Sequence, residues 1–286
     1  QTATVLWLDG RELRFSGTGY APEGDVREDG RVLTADSDPL LLAALRAAAL
    51  ANRADIAQKD GTWIARGDPT EAALLVAARK AGLDRDELRR RYPETGEIPF
   101  SSERMLMATF HTTPDGGTLA LVKGAPGRII ELCTRRLTAE GERDLDDEGR
   151  RQLIAINDDL ARRGLRVLAL AQKSPAHARE ERSETGGAPA LARGEDGLEG
   201  LTFIGFAGII DPPAEGVKES IAAFRQAGIR TVMLTGDQRL TAEAIARDLG
   251  VLGPGEETLD GRELSRLSEE ELAERVTRVA AFSRVS

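Results

Sequence analysis

Ile229-Arg230-Thr231-Val232-Met233-Leu234-Thr235-Gly236-Asp237, followed at once by Gln238-Arg239-Leu240-Thr241-Ala242, is the stretch on which the fold turns. A β-branched and apolar run ends in Thr-Gly-Asp, and a helix-forming segment begins. Strand, tight turn and helix N-terminus bring backbone N–H groups and a hydroxyl to a place where a phosphate can sit. Working outward, a helix over 214–227, a strand over 229–234, a helix over 238–249, charged helical segments near 262–277 and a strand over Val279–Phe282 alternate. Such alternation predicts a parallel sheet with covered faces. Upstream of Asp211-Pro212-Pro213 the character differs, so a boundary is expected there: one domain over 1–209, another over 210–286.

The first domain reads as α+β. Thr4–Leu8 and Leu13–Ser16 are short strands with Asp9-Gly10 as a hairpin turn. Asp38–Ala51 and the segment from Asp68 to Ala81 are helices, each opened by an Asp cap and a Pro, with Gly82 stopping the second. Asp84–Arg91 is a short charged helix. Three strands follow, Glu97–Phe100, Arg104–His111 and Thr118–Val122, then helices over Gly127–Cys133 and Asp144–Arg163. Strands over Arg166–Ala171 and Thr202–Ile210 complete it. Between those two strands, the segment around 174–199 is rich in Gly, Pro, Ala and charge without periodicity, and reads as a mobile surface insertion.

Composition narrows the function. The 286 residues are 41% hydrophobic but only 4% aromatic, so Leu, Ala and Val must fill the cores. A net charge of −9 argues against non-specific nucleic-acid binding. Cys133 is the only cysteine, and His111 and His177 are the only histidines, which excludes a His/Cys metal cluster. The longest apolar run, Leu40 to Ala51, is interrupted by Arg46 and falls short of the ~20 residues a bilayer needs. The chain as given therefore reads as soluble.

Several residues admit a chemical and a bland reading. Lys123-Gly124-Ala125-Pro126 follows a strand and precedes a helix: the lysine can face polyphosphate or an adenine ring, with Gly124 and Ala125 letting a ligand approach the backbone, or it can be a surface lysine before a turn. Phe100 can offer a face to a purine or pack in the core. Glu71 suits the dipole of the helix it opens, and Arg166 can be a solvated charge. Asp211-Pro212-Pro213 can be a cap and rigid turn. From Asp211 to Thr235, with one helix and one strand between, is a βαβ unit's length. Singly the bland readings win. Their order reverses that.

Gly17-Thr18-Gly19-Tyr20, Gly67-Asp68-Pro69-Thr70-Glu71, Phe100-Ser101 with Arg104-Met105 and Met107, Lys123-Gly124-Ala125-Pro126, Leu165-Arg166-Val167-Leu168-Ala169, Asp211-Pro212-Pro213 and Thr235-Gly236-Asp237 with Thr241-Ala242 form a co-linear series. It closely resembles the P-type cation-transporting ATPases, in particular their calcium-pump-like branch. The resemblance implies a nucleotide-binding domain inserted into a partial phosphorylation domain of haloacid-dehalogenase type. ATP would be the cofactor, with Mg2+ in the full-length parent. It further implies that Phe100 stacks on adenine, Lys123, Gly124 and Ala125 line its pocket, Glu71 sits near the purine, and Arg166 reaches the phosphates. Asp211 would lie near the ribose, and Thr235, Gly236 and Asp237 would contact the transferred phosphoryl group.

Three departures stand out: Met105 replaces a lysine common in the family, Gly127 a glutamate and Ala214 an arginine, which implies modest affinity. No Asp-Lys-Thr-Gly-Thr and no Gly-Asp-Gly-x-Asn-Asp occurs. Phosphoryl transfer needs nucleophile, metal and phosphate clamp in one site. The resemblance thus implies a segment of a pump whose actuator, transmembrane and remaining phosphorylation domains lie elsewhere, at the cytoplasmic face of a membrane. Turnover by residues 1–286 alone is not expected, and ADP and ATP should bind alike. The alternative is a free-standing phosphatase of dehalogenase type with a large cap, for which Asp9 is the early nucleophile candidate; a structural α/β protein without nucleotide is a third reading.

Overall fold

The computed structural model describes residues 1–174, 198–211, 213–214 and 216–285. The segment read as a mobile insertion lies outside them from 175 to 197, as do His177 and Pro212. The chain divides into two compact units, Gln1–Ile154 with Val167–Ile209, and Ala155–Arg166 with Ile210–Ser286. One stretch departs from the division drawn from the sequence. Residues 155–166 group with the second unit, where Thr241 Oγ1 donates to the Leu165 carbonyl at 2.9 Å and Asn157 Nδ2 reaches Gln238 Oε1 at 3.3 Å.

In the first unit β1 (Thr2–Leu8) and β2 (Arg11–Phe15) pair antiparallel across Asp9-Gly10. Both turn residues have positive φ, 45° and 82°, as a type I′ hairpin requires. The same Asp-Gly device joins β3 (Val26–Glu28) to β4 (Arg31–Leu33), and β5 (Asp55–Lys59) to β6 (Thr62–Arg66). Neither of these hairpins was expected from apolar alternation.

Helices α1 (Pro39–Leu50), α2 (Pro69–Lys80) and α3 (Arg85–Arg91) begin where their caps place them. The carboxylates of Asp38, Asp68 and Asp84 each accept two N–H groups of the following turn. After α2, the Gly82 amide bonds Arg79 O at 2.9 Å and the Leu83 amide bonds Ala78 O at 3.0 Å, a Schellman closure. α1 is buried almost all round because its alanines let α2 and the sheet approach closely. Truncating a leucine of this layer, Leu41 or Leu45 for example, should cost about 2–5 kcal/mol.

The elements that follow are β7 (Glu94–Ser101), β8 (Leu106–Thr112), β9 (Thr118–Gly124), α4 (Pro126–Leu132), β10 (Cys133–Thr138), β11 (Gly141–Asp144), α5 (Asp147–Arg162), β12 (Arg166–Lys173) and β13 (Leu201–Ile210); all belong to this unit except α5 from Ala155 onward and the first residue of β12, Arg166, which group with the second. α5 starts later than its charge pattern suggests. Residues 141–144 pair with β10, and the Asp146 carboxylate accepts the Gly149 amide at 2.8 Å. An eleven-stranded sheet runs β4-β3-β2-β1-β13-β12-β9-β8-β7, with the β10–β11 hairpin attached through β13. β13 is central and buried along almost its whole length, which explains its unbroken apolar run.

In the second unit α6 (Val217–Gln226), β14 (Met233–Leu234), α7 (Arg239–Asp248), β15 (Glu257–Asp260), α8 (Gly261–Leu264), α9 (Glu269–Val276) and β16 (Val279–Ser283) surround a parallel sheet ordered β14-β16-β15. Its core is Ile221, Ala246, Val251, Leu252, Ala280 and Ala281. β14 is shorter than the 229–234 run predicts. Ile229 closes α6, its amide bonding Phe224 O at 2.8 Å, and only Met233 and Leu234 find partners on β16. The βαβ expectation is corrected as well. β13 belongs to the large sheet, so the strands ending at Asp211 and at Thr235 do not share one.

Candidate functional site

Strand periodicity places Leu119, Leu121 and Lys123 on the face of β9 that α1 covers. The first two join that core. The third ends the row with a charge. Lys123 donates to Glu71 Oε1 at 2.7 Å, and the two side chains are only 6% and 15% exposed. Burial pushes the Lys123 ammonium below its usual value, against the opposing pull of Glu71. The other oxygen of Glu71 accepts the amides of Arg53 at 2.8 Å and Ala54 at 3.0 Å. Glu71 therefore faces donors on both oxygens, bonding the lysine on one side and the turn after α1 on the other.

Phe100 is 62% exposed, contrary to the usual burial of a strand phenylalanine. The cause is a bulge. Ile98 pairs with Ala108 and Ser101 with Leu106, so Pro99 and Phe100 together oppose the single residue Met107. Met107 pairs in turn with Lys123, which brings the bulge to the lysine's level of the sheet. Proline is tolerated because it falls in a bulge of β7, the last strand of the order, whose outward side calls for no ladder donor.

Met105 lies between these strands with a left-handed φ of 55°, its carbonyl accepting the Ala125 amide at 2.8 Å. A Cβ at Gly124 would collide with the Met105 carbonyl and with Leu106, so the glycine serves the close approach of β8 to β9. Phe100, Met105, Lys123, Gly124, Ala125 and Glu71 thus fall in one region of the first unit.

A second group forms in the other unit. Arg166 Nε donates to Asp237 Oδ1 at 2.7 Å; Thr235 Oγ1 accepts the Asp237 amide and donates to Asp237 Oδ2, each at 3.1 Å. The turn is fixed from β16, because Arg284 N bonds Asp237 O at 3.1 Å and Val285 N bonds Thr235 O at 3.3 Å. Gly236 is exposed, and a Cβ on it would meet nothing within 4 Å. Asp211 is exposed at the end of β13.

Sequence reasoning missed Asn52 and Arg53. Asn52 Nδ2 donates to Ala48 O at 3.0 Å and Glu71 O at 2.8 Å, and Arg53 forks onto Glu94 and Glu97. An Asn directly after a helix is a legible stop signal. The arginine's partners are more than forty residues away and leave no local trace. Asp9, the phosphatase reading's nucleophile, sits in a hairpin turn of the antiparallel sheet with Oδ2 accepting the Ala139 amide at 3.2 Å, not at the end of a parallel strand.

With this geometry, a family model described as P-type ATPase, cytoplasmic domain N, matches residues 41–216. The chain belongs to the P-type cation-transporting ATPase family. It is 35% identical over 285 residues to a calcium-transporting ATPase of Bacillus subtilis, and 36% identical over 292 residues to a probable cation-transporting ATPase F of Mycobacterium bovis. Each comparison covers 100% of this chain and 31% of the relative. A calcium-transporting ATPase of Lactococcus lactis is 36% identical over 220 residues, covering 77% of this chain and 24% of its own length. The chain thus spans about a third of the length of the curated relatives it matches in full. Among the described residues, no helix is long and apolar enough to cross a membrane.

Proposed function

We propose that the first unit binds ATP or ADP by its purine, as the nucleotide-binding domain of an ion-translocating pump, and that the second is part of that pump's phosphorylation domain. The observation that carries this is the exposed Phe100 ring, displayed by a bulge at the sheet level of a buried, carboxylate-aimed lysine. An aromatic ring stacks on either face of a purine. The Lys123 ammonium adds a donor for a ring nitrogen, while Met105, Gly124 and Ala125 shape the floor. Glu71 acts through Lys123.

Arg166 is the phosphate-side cation and Asp211 the ribose-side carboxylate. Thr235, Gly236 and Asp237 form the phosphoryl clamp, with Gly236 leaving bare backbone where a phosphate approaches. In the parent, ATP would phosphorylate an aspartate absent from residues 1–286, driving cation transport from the cytoplasmic face of a membrane. The actuator and transmembrane domains would be its partners. The magnesium this chemistry uses would be carried chiefly by the nucleotide's own phosphates. Asp237 already accepts from Arg166 and Thr235, and no three His, Cys, Asp or Glu side chains converge among the described residues.

Calorimetry with ADP tests the reading. The native chain should bind, and Phe100→Ala should weaken binding about tenfold, the scale of one lost base-stacking contact. Unaltered affinity in Phe100→Ala would refute the stacking role.

A further inference from the structure

We propose that Arg53 is a positioning residue for the aromatic platform, holding the bulged edge strand that carries Phe100 in place beside Lys123. This rests on the nucleotide reading of that platform. β7 ends the sheet order and, among the described residues, is hydrogen-bonded to a strand on one side only. Its pairing with β8 is also irregular twice, between Glu94 and Gly96 and between Ile98 and Ser101, so the ladder alone holds it loosely.

Arg53 ties the strand from outside the ladder. Its Nη1 and Nη2 donate to the two oxygens of Glu94 at 3.0 and 2.6 Å, and its Nε donates to Glu97 Oε2 at 2.6 Å, an oxygen that Nη2 also contacts. The fork spans two carboxylates on one strand. A lysine, as a point charge, cannot reproduce that geometry.

The anchor behind the fork is what links it to the site. The Arg53 amide is held by Glu71 Oε2, while Glu71 Oε1 holds Lys123. Asn52 on one side bonds the Glu71 carbonyl, and the Ala54 amide on the other bonds Glu71 Oε2 and Asn52 Oδ1. One carboxylate therefore sets both the lysine that meets the base and the arginine that fixes the strand bearing the stacking ring. Motion of β7 would shift Phe100 relative to Lys123 without touching either side chain.

The test is a double-mutant cycle on ADP binding to the full chain, with Arg53→Ala, Arg53→Lys, Phe100→Ala and Arg53→Ala/Phe100→Ala. Arg53→Ala and Arg53→Lys should each weaken ADP about fivefold, the scale of a partly exposed bidentate pair. In the Phe100→Ala background the further loss should be under about twofold, because the strand would have no ring left to place. A lysine variant with native affinity, or penalties that simply multiply, overturns the proposal, because Arg53 would then act as a charge near the ligand.

Hydrogen exchange without nucleotide gives a second readout. Peptides covering residues 94–101 should exchange faster in both Arg53 variants and in Glu97→Gln than in the native chain, and unchanged exchange overturns the proposal. If the native chain does not bind ADP, the nucleotide reading fails, while the exchange experiment still decides whether the clamp exists.

Discussion

Glu71→Gln probes the electrostatic keystone of the first unit. Lys123 and Glu71 are both largely withdrawn from water, and every group facing the two Glu71 oxygens is a donor: an ammonium on one side, two amides on the other. A glutamine offers one oxygen and one NH2. Whichever way it turns, donors face donors. Breaking a buried pair by removing one partner costs about 3–5 kcal/mol. Lysine can also escape by losing its proton, which at pH 7 costs about 5 kcal/mol from its ordinary pKa and so limits the penalty.

The expected loss is about 3 kcal/mol. Its pH dependence follows from the direction of the shift. Burial already pushes Lys123 below 10.5, and removing the Glu71 charge pushes it lower. The unfolded chain then binds the proton more readily than the folded one. The variant's deficit is therefore full below the folded pKa and shrinks as pH climbs toward the unfolded value. Urea denaturation at about pH 7 and about pH 9.5 measures this, and Lys123→Met added to Glu71→Gln should recover most of the loss. A deficit under about 1 kcal/mol, equal at both pH values, would refute the reasoning, since a solvated surface bridge behaves that way.

Asp38→Ala removes the cap of α1, where one carboxylate oxygen accepts the Leu40 and Leu41 amides at 3.0 Å while the other takes Arg11 at 2.6 Å. A loss of about 2 kcal/mol is expected, and a change below about 0.5 kcal/mol would contradict it. Burial raises the Asp38 carboxyl, but Arg11 and the two amides outweigh it and hold the group below 3.8. Its contribution is accordingly present above that value and lost as pH falls through the folded pKa.

His111 donates from Nδ1 to the Tyr92 carbonyl at 2.9 Å and accepts at Nε2 from the Thr109 hydroxyl at 2.8 Å, a neutral tautomer whose pKa burial lowers from 6.5. Its NMR titration midpoint should lie below 6.5, with stability declining as pH drops through 6.5 toward that midpoint; a midpoint at or above 6.5 contradicts this. ADP and ATP should bind residues 1–286 within about threefold of each other, with or without magnesium, and a preference above about tenfold for ATP would contradict that.

What the sequence disclosed follows from the range of the forces involved. α1, α2 and α3 were legible because their Asp caps and Asp-Pro openings act within three residues. The β5–β6 and β3–β4 hairpins carry the same Asp-Gly signal as the first, but their strands run only three to five residues, too few for alternation to show. β14 shrank because a β-prone run becomes strand only where a neighbour pairs with it. Phe100 and Lys123 were named from the order of motifs, but neither the bulge that exposes the ring nor the double duty of Glu71 has a local signature. The close contact of Gly124 with the Met105 carbonyl joins two strands and has no local signature either. Arg53 depended on carboxylates distant in sequence, beyond any pattern in the residues around it.

The place where an adenine ring settles decides whether Phe100 and Lys123 form a purine site. In NMR spectra of the chain saturated with ADP, nuclear Overhauser contacts from the adenine C2 and C8 protons should run to the Phe100 ring and the Lys123 side chain. Adenine contacts confined to other residues, with the Phe100 ring signals unmoved from the nucleotide-free spectrum, would contradict it.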